Sequence, residues 1–136
     1  MNKIDLFKLR DRNFSLLERG YRPKINAVEV NMGHSLKHEQ AKLKCLWILR
    51  MGYEPEQLEE MLPHADTITD LIKKRWERPM IVSEARFIQK SLRADLFHLD
   101  KSTVIEIVNS EGSKSIERKK RAYKNLKLNF VRVDLK

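Results

Sequence analysis

The chain of 136 residues has one cysteine, Cys45, and only four glycines and four prolines. A lone cysteine builds neither an internal disulfide framework nor a zinc ribbon. No stretch of about 18 consecutive apolar residues occurs, which excludes a membrane-spanning helix. Residues 1–12 mix Lys, Asp and Arg and lack the apolar core of a secretory signal. Together these absences point to a reducing, cytoplasmic compartment, or to a host cytoplasm for a viral protein. There is no Gly-rich phosphate loop and no Gly-x-Ser-x-Gly elbow, so nucleotide cradles and serine-hydrolase chemistry have no support. Internal repeats and low-complexity tracts are absent as well.

Charge is what the chain has in quantity. Charged residues make up 35% and the formal net charge is +9, while 41% of residues are hydrophobic. That apolar share supports a modest core, and the length suits one domain. Residues 113–136 carry nine Lys or Arg against two acids, and residues 1–24 carry seven against three. Residues 25–112 have 12 bases and 14 acids. A basic periphery therefore surrounds a slightly acidic middle. Such a layout suits a polyanion partner, most often nucleic acid; a solvated helix face in the tail is the plain alternative.

Periodicity predicts a helix over 5–18, with Leu6, Leu9, Phe14 and Leu17 on one face and Gly20 as its stop. Residues 21–33 read as a connector holding a short extended piece at 27–30. Ser35 caps a second helix over 36–51, ended by Gly52, with Leu43, Leu46, Trp47 and Leu49 or Arg50 as its stripe. Glu39 shares that stripe. Shorter helices are expected at 56–61 and 65–76, with Pro63 between them. After Pro79 the pattern turns to β, with strands at 80–88, 92–99 and 103–109. Val104, Ile105, Ile107 and Val108 give the apolar run of a central strand covered on both faces. Ser115 caps a helix to about residue 126, with Ile116, Tyr123 and Leu126 inward, and 129–135 alternates as a last strand. The fold class is α/β, a mixed central sheet flanked by helices, with 1–33 as a helical N-terminal extension and 34–136 as the α/β domain.

The informative residues are acids inside apolar strands. Asp95 sits between Ala94 and Leu96, and Glu106 between Ile105 and Ile107. Burying a carboxylate in a strand is costly unless a cation compensates it. Two such acids on adjacent strands repel unless a divalent metal lies between them, and hard oxygen ligands suit Mg²⁺ or Mn²⁺. A third acid comes from Glu84 or from Glu39. Each has a plain alternative. Asp95 pairs with Arg93 or ends a strand, Glu106 bridges to a tail lysine, Glu39 favours the helix dipole, and Glu84 is exposed beside Arg86. His34 and His38 have the i, i+4 spacing of zinc ligands, but without an evident third ligand they read as surface or DNA-facing residues. His98 falls on the strand face opposite Asp95. Trp47, Trp76, Tyr123 and Cys45 read as core residues.

The order is a helix with Glu39, a strand with Asp95, a strand with Glu106-Ile107-Val108, a Lys-rich helix and a final strand. It resembles the PD-(D/E)XK, or restriction-endonuclease-like, nuclease superfamily. Archaeal Holliday-junction resolvases and competence CoiA-like proteins belong to it. The matching phrases are Arg93-Ala94-Asp95-Leu96 and Val104-Ile105-Glu106-Ile107-Val108-Asn109-Ser110. The resemblance implies a metal-dependent DNA endonuclease in which Asp95 and Glu106 hold Mg²⁺ (or Mn²⁺), with Glu39 or Glu84 completing the site. It implies that Lys114, Arg118, Lys119, Lys120, Arg121 and Lys124 contact DNA, and that a homodimer cuts both strands. The family's lysine, two residues after the glutamate, is replaced by Val108. Either another lysine takes its role, with Lys114, Lys119 and Lys120 nearest in sequence, or the protein binds DNA without cutting it. A basic structural or interaction protein of a virus or mobile element is the reading from a different class.

Overall fold

The computed structural model describes residues 1–89, 92–109 and 113–135. The chain is α/β. Helices α1 (Lys3–Phe14), α2 (Leu36–Arg50), α3 (Leu58–Met61) and α4 (Ser113–Asn125) accompany strands β1 (Lys24–Ile25), β2 (Ile81–Arg86), β3 (Arg93–His98), β4 (Thr103–Val108) and β5 (Asn129–Asp134). The strands form one mixed sheet in the order β1-β2-β3-β4-β5. Neighbours are antiparallel from β1 to β4, and β4 and β5 are parallel. A parallel pair needs a crossover, which α4 supplies.

Both sheet faces are covered. On one, Cys45, Ile48 and Leu49 of α2 pack on Ile81, Leu96, Ile105 and Val133. On the other, Tyr123 of α4 and Leu17 pack with Val82, Phe87, Phe97 and Val104. Every residue of β4 is buried, as its apolar run requires.

The helix ends follow local chemistry. Ser35 caps α2 by accepting from the His38 N–H at 3.1 Å. Gly52 follows at φ +103°, where a Cβ would lie 2.8 Å from Ile72. The inward face of α2 differs from the expected stripe. Leu43 and Trp47 are exposed, and His38, Glu39, Lys42, Cys45 and Leu49 are buried. The second half of α2 is apolar almost all round, so hydrophobicity does not mark the face on which His38 and Lys42 turn inward. Trp47 is therefore not a core residue, and Trp76 is half-buried, whereas Tyr123 and Cys45 are in the core.

Three other expectations shift. α1 stops at Phe14 because the chain leaves to pair beside β2: Leu17 bridges Phe87, and the Glu18 N–H donates to Arg86 at 2.8 Å. The extended piece of the connector is Lys24–Ile25 rather than 27–30. No helix spans 65–76. A 3-10 turn at Leu62–Thr67 gives way to extended backbone at Ile68, and only a short turn, Arg75–Glu77, follows. Thr67, Ile68 and Thr69 are β-branched, and the Asp70 side chain captures the Ile72 N–H, so helix loses there.

Candidate metal centre and nucleic-acid face

The acids gather where β2 and β4 end and β3 begins. A strand alternates its side chains between faces, so Asp95 and Leu96 should point apart. They do not. Leu96 packs against α2, and the Asp95 carboxylate also reaches α2, 3.3 Å from His38 Nε2. The cause lies opposite. Glu84, between the pairs Ser83↔Leu96 and Ala85↔Ala94, has φ +47°. This left-handed kink interrupts the alternation, sends Ala85 and Ala94 into the Tyr123 cluster and turns Glu84 toward Lys42 of α2. A non-glycine residue in that region costs roughly 1–2 kcal/mol. The β3–β4 register Leu96↔Ile105, carried one step on, sets Asp95 across from Glu106. There the Asp95 carboxylate accepts the Ile107 N–H at 2.8 Å.

The polar groups form a continuous chain. Lys42, fully buried, lies 2.5 Å from Glu39 and 3.3 Å from Glu84, and donates to the Glu29 carbonyl at 2.8 Å. Glu84 also meets Arg93 at 3.4 Å. The Glu39 Oε1 accepts from the Asn31 N–H and lies 3.3 Å from His34 Nδ1. Glu106 lies 3.8 Å from Lys119 of α4, which also fits the plain reading of a strand acid paired with a tail lysine. Glu39, Glu84, Asp95 and Glu106 are all at most 8% exposed. They come from four separate elements, α2, β2, β3 and β4.

Glu84, Asp95 and Glu106 line a cavity of about 200 Å³ together with Asn31, His34, His38, Arg93, Ile107 and Lys119, and Glu39 meets that lining through His34 and His38. Burial alone would raise the Asp95 carboxyl, but the His38 hydrogen bond and the Ile107 N–H hold it below its ordinary value. The Asp95 hydrogen bond in turn raises His38, against the opposing effect of burial. Burial also works to raise Glu39, and the Lys42 ammonium outweighs it, leaving that carboxyl lowered.

Among the described residues, two groups of three side chains have donor atoms within 4.8 Å of one another: His34, Glu84 and Asp95, and His34, His38 and Glu39. The residues therefore fit a divalent cation, with Asp95 grouped with Glu84 and His34, and Glu106 on the cavity wall beside them. Both glutamates left open by the sequence are here, Glu84 beside Asp95 and Glu39 beside the histidines.

Lys114 is elsewhere. It lines a separate depression with Glu117, Arg118 and Arg121, and it is Lys119 that borders the acids. Lys114, Arg118, Lys120, Arg121 and Lys124 are all exposed on α4, while Ile116 and Tyr123 turn inward. Lys42 was missed from the sequence, although it stands three residues after Glu39, one helical turn away on the same side. His34 and His38 both line the site; His38 is buried, contrary to a surface reading, and His34 stays exposed. His98 is buried at the other end of β3, and burial pushes its imidazole down to about 3. Cys45 is a buried thiol pushed up to about 12.

Among the described residues no helix is long and apolar enough to cross a membrane. No protein-family model, no curated protein and no solved structure matches this chain.

Proposed function

We propose that the protein is a divalent-metal-dependent nuclease with a restriction-endonuclease-like core, formed by α2, β2, β3, β4, α4 and β5. The supporting observation is the meeting of Glu84, Asp95 and Glu106 on one open cavity bordered by the basic helix α4, with Glu39 buried against His34 and His38 of the same lining. Asp95 with Glu84 and His34, or with Glu106, would hold the cation. When bound, it would polarise a phosphoryl oxygen and acidify a coordinated water.

The chain's own residues supply the rest. Arg118, Lys120, Arg121 and Lys124 would grip phosphates without reading sequence, so binding weakens steeply as salt rises. Lys119, partly exposed and 3.8 Å from Glu106, is the cation placed to meet negative charge developing on a phosphate. It would take the role left open by Val108. Lys42 is fully buried and has no access to substrate, so it acts by positioning Glu39 and Glu84.

The test is cleavage of duplex, nicked and branched DNA with Mg²⁺ or Mn²⁺. Asp95→Ala and Glu106→Ala should each lower the rate by at least about 100-fold, and Lys119→Ala by about 100-fold. Unchanged rates in both acid variants would overturn the assignment. Val108 favours a second reading, a DNA-binding protein without cleavage. Tight, salt-sensitive binding with no cutting in either metal would decide for it.

A further inference from the structure

The histidines are the part of the cavity that a nuclease of carboxylates and lysines does not require. His34 stands just before the Ser35 cap and His38 one turn into α2, with ring centroids 4.1 Å apart. The turn that presents His34 is fixed by its own hydrogen bonds. The His34 N–H donates to the Asn31 carbonyl at 3.0 Å, and the Gly33 N–H donates to the Asn31 side chain at 2.9 Å. His34 Nδ1 lies 3.3 Å from Glu39 and 4.0 Å from Glu84, and its side chain is 37% exposed, open to an ion arriving from solvent.

A second observation is independent of the clustering. His38 is 93% buried on the cavity wall, and its Nδ1 has no hydrogen-bond partner among the described residues. The nearest oxygen, of Glu39, is 3.7 Å away. A buried imidazole nitrogen without a partner is costly unless something polar comes to it.

The donor spacing suits an ion. Three ligands on one first-row cation lie at most roughly 3.6 Å apart at a bond of about 2.1 Å. The donor atoms of His34, Glu84 and Asp95 lie within 4.8 Å of one another, His34 Nδ1 being 4.0 Å from Glu84, so an ion would draw them together by up to about 1 Å. The donor type then selects the metal. Mg²⁺ demands oxygen ligands and keeps its water, imidazole suits Fe, Ni, Cu and Zn, and Mn²⁺, which shares the oxygen donors of Mg²⁺, accepts a nitrogen among them more readily. Charge favours binding of either kind, because among the described residues four buried carboxylates face one fully buried cation, Lys42, the others, Arg93 and Lys119, being exposed or partly so.

We infer that the cavity is a mixed nitrogen–oxygen centre in which His34, with Glu84 and Asp95, binds first-row transition-metal ions in preference to Mg²⁺. This rests on the proposed metal site and specifies its ion. His38 is the positioning residue that aims Asp95 and shapes the pocket behind it.

The experiment is calorimetric titration of the full chain, freed of metal, with MnCl₂ and separately with MgCl₂, and without DNA. Mn²⁺ paramagnetic resonance gives a direct readout of ligation. Mn²⁺ should bind at least about tenfold more tightly than Mg²⁺. His34→Gln should weaken Mn²⁺ by about tenfold and leave Mg²⁺ within about twofold. His34→Glu replaces the nitrogen donor with oxygen, so it should keep Mn²⁺ binding and erase the preference. Equal affinities in the parent chain, or a preference that survives His34→Glu, would overturn the inference. Selective Mn²⁺ binding with no DNA cleavage sinks the nuclease reading and leaves this one standing. Cleavage with no preference between ions does the reverse.

Discussion

The two ends of the sheet both bury charge, and they do it differently. At the β3–β4 turn, Arg10 forks onto Asp100 at 2.6 and 2.9 Å and also donates to the Trp76 and Arg78 carbonyls. Beside it Asn13 donates to the Leu99 carbonyl and to Ser102. One acid meets one base and the guanidinium donors are used. At the far end, four buried carboxylates gather around one fully buried lysine that meets only Glu39 and Glu84 among them, a helix turn carries two histidines, and a cavity stays open. Burial of polar groups alone therefore does not mark a functional site. The paired end ties α1 to the sheet, and the acid-rich end buries more carboxylates than cations, an excess that a bound cation would offset.

The comparison breaks hardest at Lys42. Lys42→Met strands Glu39 and Glu84 without their buried cation and should cost about 3–5 kcal/mol of stability in urea denaturation. Adding Glu84→Gln should restore a large part of that loss, because repulsion between the acids is its source. A loss below about 1 kcal/mol in Lys42→Met would mean that the acids are already neutral or solvated.

Arg10→Met tests the paired end. It leaves Asp100 and two carbonyls without their donor, and a loss of about 2–3 kcal/mol is expected because the pair is not fully enclosed. Mn²⁺ affinity measured on the same variant should stay unchanged. A joint fall in stability and metal binding would show that the two ends are not independent.

The smallest effect is in pH dependence, and it has opposite signs at the two ends. His98 is pushed down to about 3, below its unfolded value of about 6.5, so the unfolded chain binds the proton first. Its contribution is lost as pH falls from about 6.5 toward about 3. His38 is raised by Asp95, so its contribution is full below about 6.5 and is lost as pH rises through its folded value. Thermal unfolding across pH should show His98→Leu flattening the acid side and His38→Gln flattening the neutral-to-alkaline side. A profile unchanged by either substitution would remove the histidines as the cause.

Much of this was legible in the sequence where local pattern and packing agree. The β-branched run of β4, the Ser35 cap and the amphipathic α4 all announce themselves, and the strand acids Asp95 and Glu106 were visible as misfits within apolar runs. The site's other half was hidden because its residues break the rules used to read helices and strands. Lys42 and His38 face inward, so ordinary polarity reasoning turns α2 away from its true orientation. The Asp70 turn and the pairing of 16–18 with 86–88 are tertiary choices that periodicity does not contain. Nothing in a string of letters shows that a glutamate has a left-handed backbone.

That kink at Glu84 has a consequence for how the protein would respond to selection. Glycine, or to a lesser degree asparagine, occupies this conformation at little cost, so either would relieve roughly 1–2 kcal/mol of conformational energy. Each would also delete a carboxylate from the cavity. A library screened only for survival at high temperature should therefore enrich replacements at position 84, and the survivors would be sturdier proteins with an impaired centre. Durability and chemistry compete for the same residue.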